Sequence, residues 1–463
     1  MLKGFVFQVT TVAVLFCAWG PATSASTIST PWSDSDSWID PWSPWGTEFT
    51  KPRWAISAVA DLDYAQHISS ASPRQGVATE KATFIAWDKL EFSPKWSAVI
   101  SGQAWYEGVY GQSSNYPDTI KTYDTDEIRF QDTYVQYKTD HLIARMGNQQ
   151  IVWGETFGNF HADIVNPKDL RYGVPLDLAK VRRSTPMADI VYIKKHFSLQ
   201  GLFIPQPQFN ILPLVGSDFS PPLAQLTDYP QVTINREEGL PIGFNNSEYG
   251  FRMSQTIGDA DISIFNLSYY DRSPYYVVST STIPNQSLFL DEKHAPVNST
   301  GLTLAMTIGD AGFVLRAEGI YTSGTMIPIS DSSGGFTSLK TNDINYVASL
   351  EFPTWRKANI SVQFAEDRVS DQAHYLLRTS QIQDHVGVHM TLNMFSASAL
   401  ETIYGVSFPD MGTRLQMEFM TPLSTKIELR VGIDSFGGPS ASEAGRTPGA
   451  SRAYMLLRTY FNG

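Results

Sequence analysis

Apolar and polar residues alternate with a period of two along much of the chain, most regularly between His385 and Asp434. The last of four segments in this stretch is an example, with apolar side chains at every second position: Ile427, Leu429, Val431 and Ile433. Such alternation places the two sets on opposite faces of a β-strand. Soluble antiparallel sheets show it too. Here each apolar row runs for about ten residues and the polar row carries full charges, which favours strands that cross a membrane around a wet lumen.

The same pattern from Trp54 onward predicts about 18 strands, with roughly 16 as the alternative count. The predicted spans are 53–64, 82–92, 96–106, 127–137, 142–152, 187–194, 197–204, 247–257, 260–270, 301–308, 312–322, 343–352, 358–366, 385–395, 399–408, 412–421, 424–433 and 451–461. Three of them, 82–92, 127–137 and 260–270, each place an apolar residue on the wrong face. A bulge or an error of register would explain these misfits.

Short and long connections alternate between the predicted strands. Gly258-Asp259 and Gly309-Asp310 are short, whereas 153–186 and 205–246 are the longest. This order is typical of a transmembrane antiparallel β-barrel with short periplasmic turns and long extracellular loops. No shift in composition marks a domain boundary, so an all-β barrel is predicted over residues 53–463.

The first 25 residues have the order of a secretory signal peptide, with Lys3, an apolar run from Phe5 to Trp19 and small residues up to Ala25. The apolar run is too short for a membrane helix. The single cysteine, Cys17, would be removed with residues 1–25, leaving no disulfide or cysteine metal site in the mature chain. We expect the Trp/Pro-rich residues 26–52 to form a periplasmic segment that rests at the membrane interface. The alternative is a plug or a docking site for a periplasmic partner.

Charge and composition narrow the function further. The net charge is −12, and −13 once Lys3 is removed, which argues against a nucleic-acid partner. No later segment is a run of about 18 apolar residues, so helices that span the membrane are excluded. Charged residues are scarce at 17% and aromatic residues plentiful at 13%, as in a transmembrane barrel. The expected location is the outer membrane of a Gram-negative cell, in contact with its lipid.

The stretch from Asp132 to Pro205 resembles a largely uncharacterised family of outer-membrane barrels that neighbours the alginate-export porins. The segments that carry the resemblance are Tyr134 to Tyr137, Arg145 to Gln149, Val152 to Glu155, Asn166 to Asp169 and Arg183 to Pro186, followed by the strands at Asp189 to Tyr192 and Glu248 to Met253. The resemblance covers about a quarter of the chain and implies an outer-membrane channel. It does not imply that alginate is the cargo.

The residues of this stretch also indicate a strand that runs into a long external loop. Arg145, Gly147 and Gln149 share a face assigned to the lumen, where the glycine leaves room for a neighbouring side chain. Trp153 is expected near the outer rim, where an indole suits the interface. The candidate loop anchor or constriction consists of Trp153, Glu155, Asp169, Arg182 and Arg183. We expect Glu155 and Asp169 to hold the loop against Arg171, Arg182 or Arg183; a substrate site is an equal alternative.

The polar rows of the strands provide the candidate pore lining. Its residues are Arg129, Arg145, Gln149, Arg252, Arg316, Glu318, Glu351, Arg414, Glu418, Glu428, Arg430 and Arg458. Arginine presents planar paired donors that suit carboxylates, and the glutamates offset its charge in part. The predicted function is an outer-membrane channel for a polar or anionic solute or glycan, without chemistry, cofactor or metal.

Two other classes remain open: a structural or adhesive barrel with a filled lumen, and a hydrolase embedded in a barrel. The chain has no Gly-x-Ser-x-Gly or His-Glu-x-x-His motif. His385 and His389 share a lumen face but lie roughly 13 Å apart, too far for one metal ion. We also expect the loops 153–186 and 205–246 to fold inward and narrow the pore. The prolines of the second loop are expected to exclude helix and sheet.

Overall fold

The computed structural model describes residues 56–69, 76–112, 116–156, 161–173, 181–219, 232–237, 239–280, 288–330, 336–375, 380–395, 397–440, 442, 444–445 and 447–462. The predicted signal peptide and the Trp/Pro-rich segment 26–52 lie outside the described residues. Their roles therefore stay predictions.

Eighteen strands form one closed antiparallel barrel within the described residues. They are β1 (Ser57–His67), β2 (Val77–Glu91), β3 (Trp96–Glu107), β4 (Asp126–Lys138), β5 (Leu142–Gln149), β6 (Thr185–Lys194), β7 (Phe197–Ile204), β9 (Glu248–Ile257), β10 (Ala260–Tyr270), β13 (Pro296–Ile308), β14 (Phe313–Ser330), β15 (Phe336–Glu351), β16 (Ala358–Val369), β18 (Ile382–Asn393), β19 (Ala399–Phe408), β20 (Thr413–Pro422), β21 (Ile427–Gly437) and β22 (Arg452–Asn462).

Each barrel strand pairs with the next one along the chain, and β1 pairs with β22 from Ser57 opposite Asn462 to His67 opposite Arg452. The sheet therefore has no free edge. Closure pairs the backbone N–H and C=O groups of the strands with each other, because lipid offers them no hydrogen-bond partner. The prediction of an 18-stranded antiparallel barrel is confirmed. The predicted spans 197–204, 260–270 and 399–408 agree with β7, β10 and β19 at both ends.

The long connections contain short elements of their own. These are β8 (Val232–Asn235), β11 (Tyr275–Thr280), β12 (Leu288–Lys293), β17 (His374–Tyr375), α1 (Gly108–Gln112), α2 (Asp118–Tyr123) and two 3₁₀ turns, Phe244–Asn246 and Pro448–Ala450. β8, β11 and β12 form a separate three-stranded sheet, in which β8 runs parallel to β12. The expectation that residues 205–246 exclude sheet was therefore wrong: β8 contains no proline, so each of its backbone N–H groups is free to pair. No helix of the described residues is long and apolar enough to cross a membrane.

The two faces of the barrel differ as the alternation requires. Val431 and Met455 point outward, with 45% and 48% of their surface exposed. The residues beside them, Gly432 and Tyr454, point inward, where the Tyr454 hydroxyl donates a hydrogen bond to Glu418. The outer face is therefore apolar and the inner face polar in this region, as expected of a barrel that meets lipid outside and water inside.

The three misfit strands have two different causes. The pairing of β3 with β4 shifts between Ile100 and Gly102, so β4 contains a bulge. β10 has no shift against either neighbour, and its Phe265 and Leu267 point into the barrel with no exposed surface. β2 likewise pairs regularly from residue 81 onward, and its Ile85 lines a cavity in the lumen. In β2 and β10 the apolar residues therefore belong on the inner face.

Candidate functional site: the lumen and its inner loop

The connection between β5 and β6, residues 150–184, enters the barrel, and we call it the inner loop. Asn166, which has no exposed surface, holds its two ends together. The side-chain amide of Asn166 donates to the carbonyl oxygens of Gln149 (3.0 Å) and Arg183 (2.9 Å), and its side-chain oxygen accepts from the backbone N–H of Ile151 (2.7 Å). One buried amide thus satisfies three backbone groups at the base of the loop, as buried polar groups require.

Glu318, on the inner face of β14, holds the far part of the inner loop. One carboxylate oxygen accepts the backbone N–H groups of Glu155 (2.7 Å) and Thr156 (2.8 Å) and the Thr156 hydroxyl (2.7 Å). The other oxygen accepts the backbone N–H groups of His161 (2.9 Å) and Ala162 (2.8 Å). Hydrogen bonds to an ionised carboxylate are among the strongest in proteins. Glu318, predicted as pore lining, therefore fixes the loop across the lumen.

Trp153 anchors the inner loop through an apolar contact. Its indole has no exposed surface, packs against Phe265 at 5.1 Å between ring centroids, and donates to the side-chain oxygen of Gln200 at 2.9 Å. Gly250 makes room for the indole, because a Cβ atom there would lie 3.0 Å from it. The expectation that the Trp153 indole lies at the membrane interface was wrong, since the apolar lumen side of β10 buries the ring completely.

The apolar cluster around Trp153 fills one side of the lumen. It combines residues of the inner loop with inward residues of β6, β7, β10, β13 and β14. Its buried members are Ile151, Trp153, Ala162, Val165, Met187, Leu202, Ile204, Phe265, Leu267, Tyr269, Ala295, Val297 and Ile320. The open part of the lumen is displaced toward the opposite strands as a result.

Charged residues of the inner loop pair with the barrel wall. Glu155 accepts from Arg252 at 2.8 Å, and Asp169 accepts from Arg129 at 3.0 Å and from Arg171. Burial alone would raise the pKa of Asp169, but the hydrogen bonds and charge of Arg171, together with Arg129, hold it well below its usual range. The predicted pairing of Asp169 with Arg171 is present in the structure, whereas the arginine paired with Glu155 belongs to β9 and had not been expected.

The other two predicted anchors lie at the return of the loop. Arg182 donates to Asp163 at 2.9 Å, and Lys168 approaches the same carboxylate at 3.5 Å. Burial favours the neutral form of Asp163, but these two cations outweigh it and lower the pKa of its carboxyl group. Arg183 donates to the backbone oxygen of Phe209 at 3.3 Å. Arg182 therefore closes the inner loop on itself, and Arg183 joins it to the following loop.

Residues 205–219, the first described part of the second long loop, cover the inner loop. The backbone N–H of Ile211 donates to the carbonyl oxygen of Lys168 at 2.9 Å, and its carbonyl oxygen accepts from the backbone N–H of Leu170 at 2.8 Å. Leu214 packs against a small apolar cluster around α1 and α2. Phe219 lies against the backbone of Gly173, where a Cβ atom would be 2.9 Å from the ring. Residues 205–219 therefore pack on the inner loop and on the cluster around α1 and α2.

The seven arginines predicted to line the pore each lie within 3.5 Å of a carboxylate. The pairs are Arg129–Asp169, Arg145–Asp189, Arg252–Glu155, Arg316–Glu351, Arg414–Asp434, Arg430–Glu428 and Arg458–Asp61. Glu418, also predicted as lining, pairs with Arg430 at 3.2 Å. These arginines are therefore part of ion pairs along the wall, and their charge is balanced locally.

Gln149 and Gly147 of β5 contact the neighbouring strands β6 and β4. Gln149 is buried and donates its side-chain amide to the carbonyl oxygen of Met187 at 3.0 Å. Gly147 has a φ of +136°, and a Cβ atom there would lie 2.7 Å from the Cα atom of Tyr134. Only glycine tolerates this combination, so the room at Gly147 is taken by the neighbouring strand β4.

The open lumen contains a cavity of about 360 Å³. Side chains of β1 to β4 and β19 to β22 surround it, and Asp169, Tyr172, Gly173 and Val181 of the inner loop form part of its wall. Trp105 and Tyr172 meet edge to face, with the Lys81 ammonium 4.3 Å and 4.1 Å from their ring centroids. The cavity therefore combines charged, polar and aromatic surfaces and depends on the loop for its shape.

The lumen histidines bind carboxylates. His389 lies 2.8 Å from Glu401, and His385 lies 3.3 Å from Asp367. No group of three metal-ligating side chains occurs among the described residues.

Sequence reasoning missed Asn166, Gly250 and Phe265 as supports of the inner loop. Asn166 belongs to the Asn-Pro-Lys-Asp segment that carries the family resemblance, which was the available signal. Phe265 was visible only as an apolar residue on the wrong face of 260–270. Nothing in the sequence pointed to Gly250. The reason is that its role is to leave space for Trp153, which is distant along the chain.

A family model described as "Protein of unknown function (DUF1302)" matches residues 82–408, more than half of the chain. The chain belongs to this family. The DUF1302 match begins in β2, ends with β19 and includes the inner loop with Glu318. The sequence-based resemblance to an uncharacterised barrel family is confirmed to that extent; its relation to the alginate-export porins stays a prediction. No curated protein matches this DUF1302 chain.

Several solved structures are similar to the barrel. OccAB1 of Acinetobacter baumannii is 8% identical with a TM-score of 0.50 and covers 88% of this chain and 96% of its own. OccAB3 of the same organism is 8% identical with a TM-score of 0.51 over 89% and 99%. OccK8 (OprE) of Pseudomonas aeruginosa is 9% identical with a TM-score of 0.51 over 89% and 98%. At this identity the comparison shows a shared fold, that of outer-membrane porins.

Proposed function

We propose that this DUF1302 protein is a channel of the Gram-negative outer membrane that lets a polar solute or glycan pass without chemistry. Export by the N-terminal signal peptide is part of the proposal. The observation that carries it is the cavity beside the inner loop. A closed barrel of 18 strands encloses enough room for an aqueous path, and the loop narrows that path without filling the side formed by β1 to β4 and β19 to β22.

The inner loop sets the width of the path. Glu318 fixes its far part, Trp153 fixes it against β10, and Asp169 fixes its return against β4. A loop held at three separate places acts as a rigid part of the wall. Solute size would then be limited by the cavity between the loop and the opposite strands.

Single-channel recording tests this function. The purified protein, without the predicted signal peptide 1–25, would be inserted into planar bilayers in KCl solution. We expect discrete conductance steps. A correctly assembled barrel that gives no conductance would contradict the proposal.

A structural or adhesive barrel with a filled lumen is the second candidate, because the apolar cluster around Trp153 already fills one side. The two candidates differ in one measurable respect. A filled barrel would assemble and resist protease but leave liposomes impermeable to small sugars, whereas a channel would let the sugars enter and the liposomes swell.

A further inference from the structure

The charges around the lumen cavity are not balanced. Its wall contains six carboxylates: Asp61, Asp63, Asp169, Glu401, Glu418 and Asp434. Four basic side chains face them: Lys81, Arg129, Arg430 and Arg452. With all these groups ionised, the wall has an excess of two negative charges.

Ion-pair partners behind the wall do not remove this excess. Three further cations pair with wall carboxylates or their neighbours: Arg171, Arg414 and Arg458. Three further carboxylates pair with the arginines of this region: Asp124, Glu127 and Glu428. These two sets of three cancel each other, so they leave the excess of two negative charges on the wall unchanged.

Two arginines of this region direct donors at carboxylates: Arg430 in the wall and Arg458 behind it. Arg458 directs Nε and Nη2 at the two oxygens of Asp61, each at 2.8 Å. Arg430 gives Nε to Glu428 and Nη1 to Glu418, at 2.6 Å and 3.2 Å. A carboxylate has about four acceptor positions, so it remains able to accept further hydrogen bonds after such a pair forms. An anionic solute would have to compete with these carboxylates for the donors of Arg430 and Arg458, whereas a cation or a hydroxyl group would find acceptors.

Glu401 is the clearest source of negative charge. Glu401 lies 2.8 Å from His389, and the imidazole is uncharged unless it binds a proton. The other paired carboxylates of the wall, such as Asp61 and Asp434, face arginines.

We propose that this cavity selects cationic and uncharged polar solutes over anionic ones. The proposal rests on the channel function proposed above and names the charge class of the solute. Carboxylates around a narrow aqueous path attract cations and exclude anions, because the surrounding protein concentrates their field. The arginine rows that suggested an anionic solute do not provide a positive field, because each of these arginines is paired with a carboxylate of the barrel or the inner loop.

The test is the zero-current potential of the full-length protein in a planar bilayer between concentrated and dilute KCl. We expect a potential whose sign shows potassium to be more permeant than chloride. Glu401→Gln should lower the potassium-to-chloride permeability ratio by about two- to fivefold, the effect of one charge a few ångströms from the path. Asp310→Asn, which removes a carboxylate from an exposed turn outside the cavity, is the matched control and should leave the ratio unchanged.

Liposome swelling supplies a second measurement with solutes of similar size. Lysine hydrochloride should enter faster than sodium glutamate through the wild-type protein, and Glu401→Gln should reduce the difference. A conducting channel that prefers chloride and glutamate would overturn the charge preference and leave the channel function standing. Assembled protein that conducts nothing would overturn both proposals. An equal effect of Glu401→Gln and Asp310→Asn would also contradict selection by the cavity.

Discussion

The carboxylate of Glu318 lies 2.7 Å from the backbone nitrogen of Glu155, 163 residues earlier in the chain. This contact and four others to the same carboxylate join a barrel strand to a loop that crosses the lumen. A negative group surrounded by backbone N–H groups is a stable arrangement because each donor would otherwise be left without a partner. The position of the inner loop, and hence the width of the pore, depends on it.

Glu318→Ala should release the far part of the inner loop. The change removes the acceptor of five hydrogen bonds, which costs on the order of 3 kcal/mol locally, while the strands keep their pairing. We expect larger single-channel conductance and new tryptic cleavage at Arg182 and Arg183. Glu351→Ala is the control, since it breaks a partly exposed pair with Arg316 and should leave the loop in place. Wild-type conductance from a folded Glu318→Ala barrel would contradict the role of this residue.

Trp153→Ala should also loosen the inner loop, in this case by removing its apolar contact with β10. Truncating a fully buried aromatic side chain costs about 3–5 kcal/mol. Gly250→Val should have a similar effect, because the added side chain would collide with the Leu267 side chain, the backbone oxygen of Asn266 and the indole. Loop mobility would be followed by limited proteolysis of the folded barrel. Trp355→Ala, at a residue with 66% of its surface exposed, should change nothing, and an equal effect there would point to general instability.

Asp169 should hold the inner loop throughout the neutral and mildly acidic range. Its folded-state pKa is held below the unfolded value, so its contribution to stability is present above about pH 4 and is lost as the pH falls through the folded value. This contact should therefore give conductance no pH dependence between about pH 5 and 8. Asp169→Asn should raise conductance at every pH in that range. A wild-type channel that opens near neutral pH with the midpoint shifted by this substitution would contradict the assignment.

Substitutions at two adjacent residues of β21 should differ in their effect on assembly of the barrel. Leu429→Arg places a charge on the outer face near the middle of the strand and should cost about 2–4 kcal/mol in lipid. Glu428→Gln removes an inward carboxylate, while Arg430 keeps Glu418 at 3.2 Å, so assembly should be nearly normal. Heat-modifiable mobility in gel electrophoresis reports assembly. Equal assembly defects in both variants would contradict the assignment of Leu429 to the outer face and Glu428 to the inner face of β21.

The chain by itself determined the barrel. Alternation along a strand is a local property, and lipid outside with water inside imposes it on every span. The predicted 260–270 and 399–408 therefore coincide with β10 and β19. Charged positions such as Arg430 and Glu428 could be assigned to the inner face for the same reason, since a charge in lipid is too costly.

Only the tertiary structure decided what those inner residues do. Arg458 pairs with Asp61, 397 residues away, because closure of the barrel brings β22 beside β1. Many carboxylates were available to each arginine, and the sequence contains no rule that selects one. Trp153 and Phe265 looked like an interface residue and an error of register until the inner loop brought them together inside the lumen. Contacts between a loop and a distant wall depend on the path of the whole chain, and no local pattern records that path.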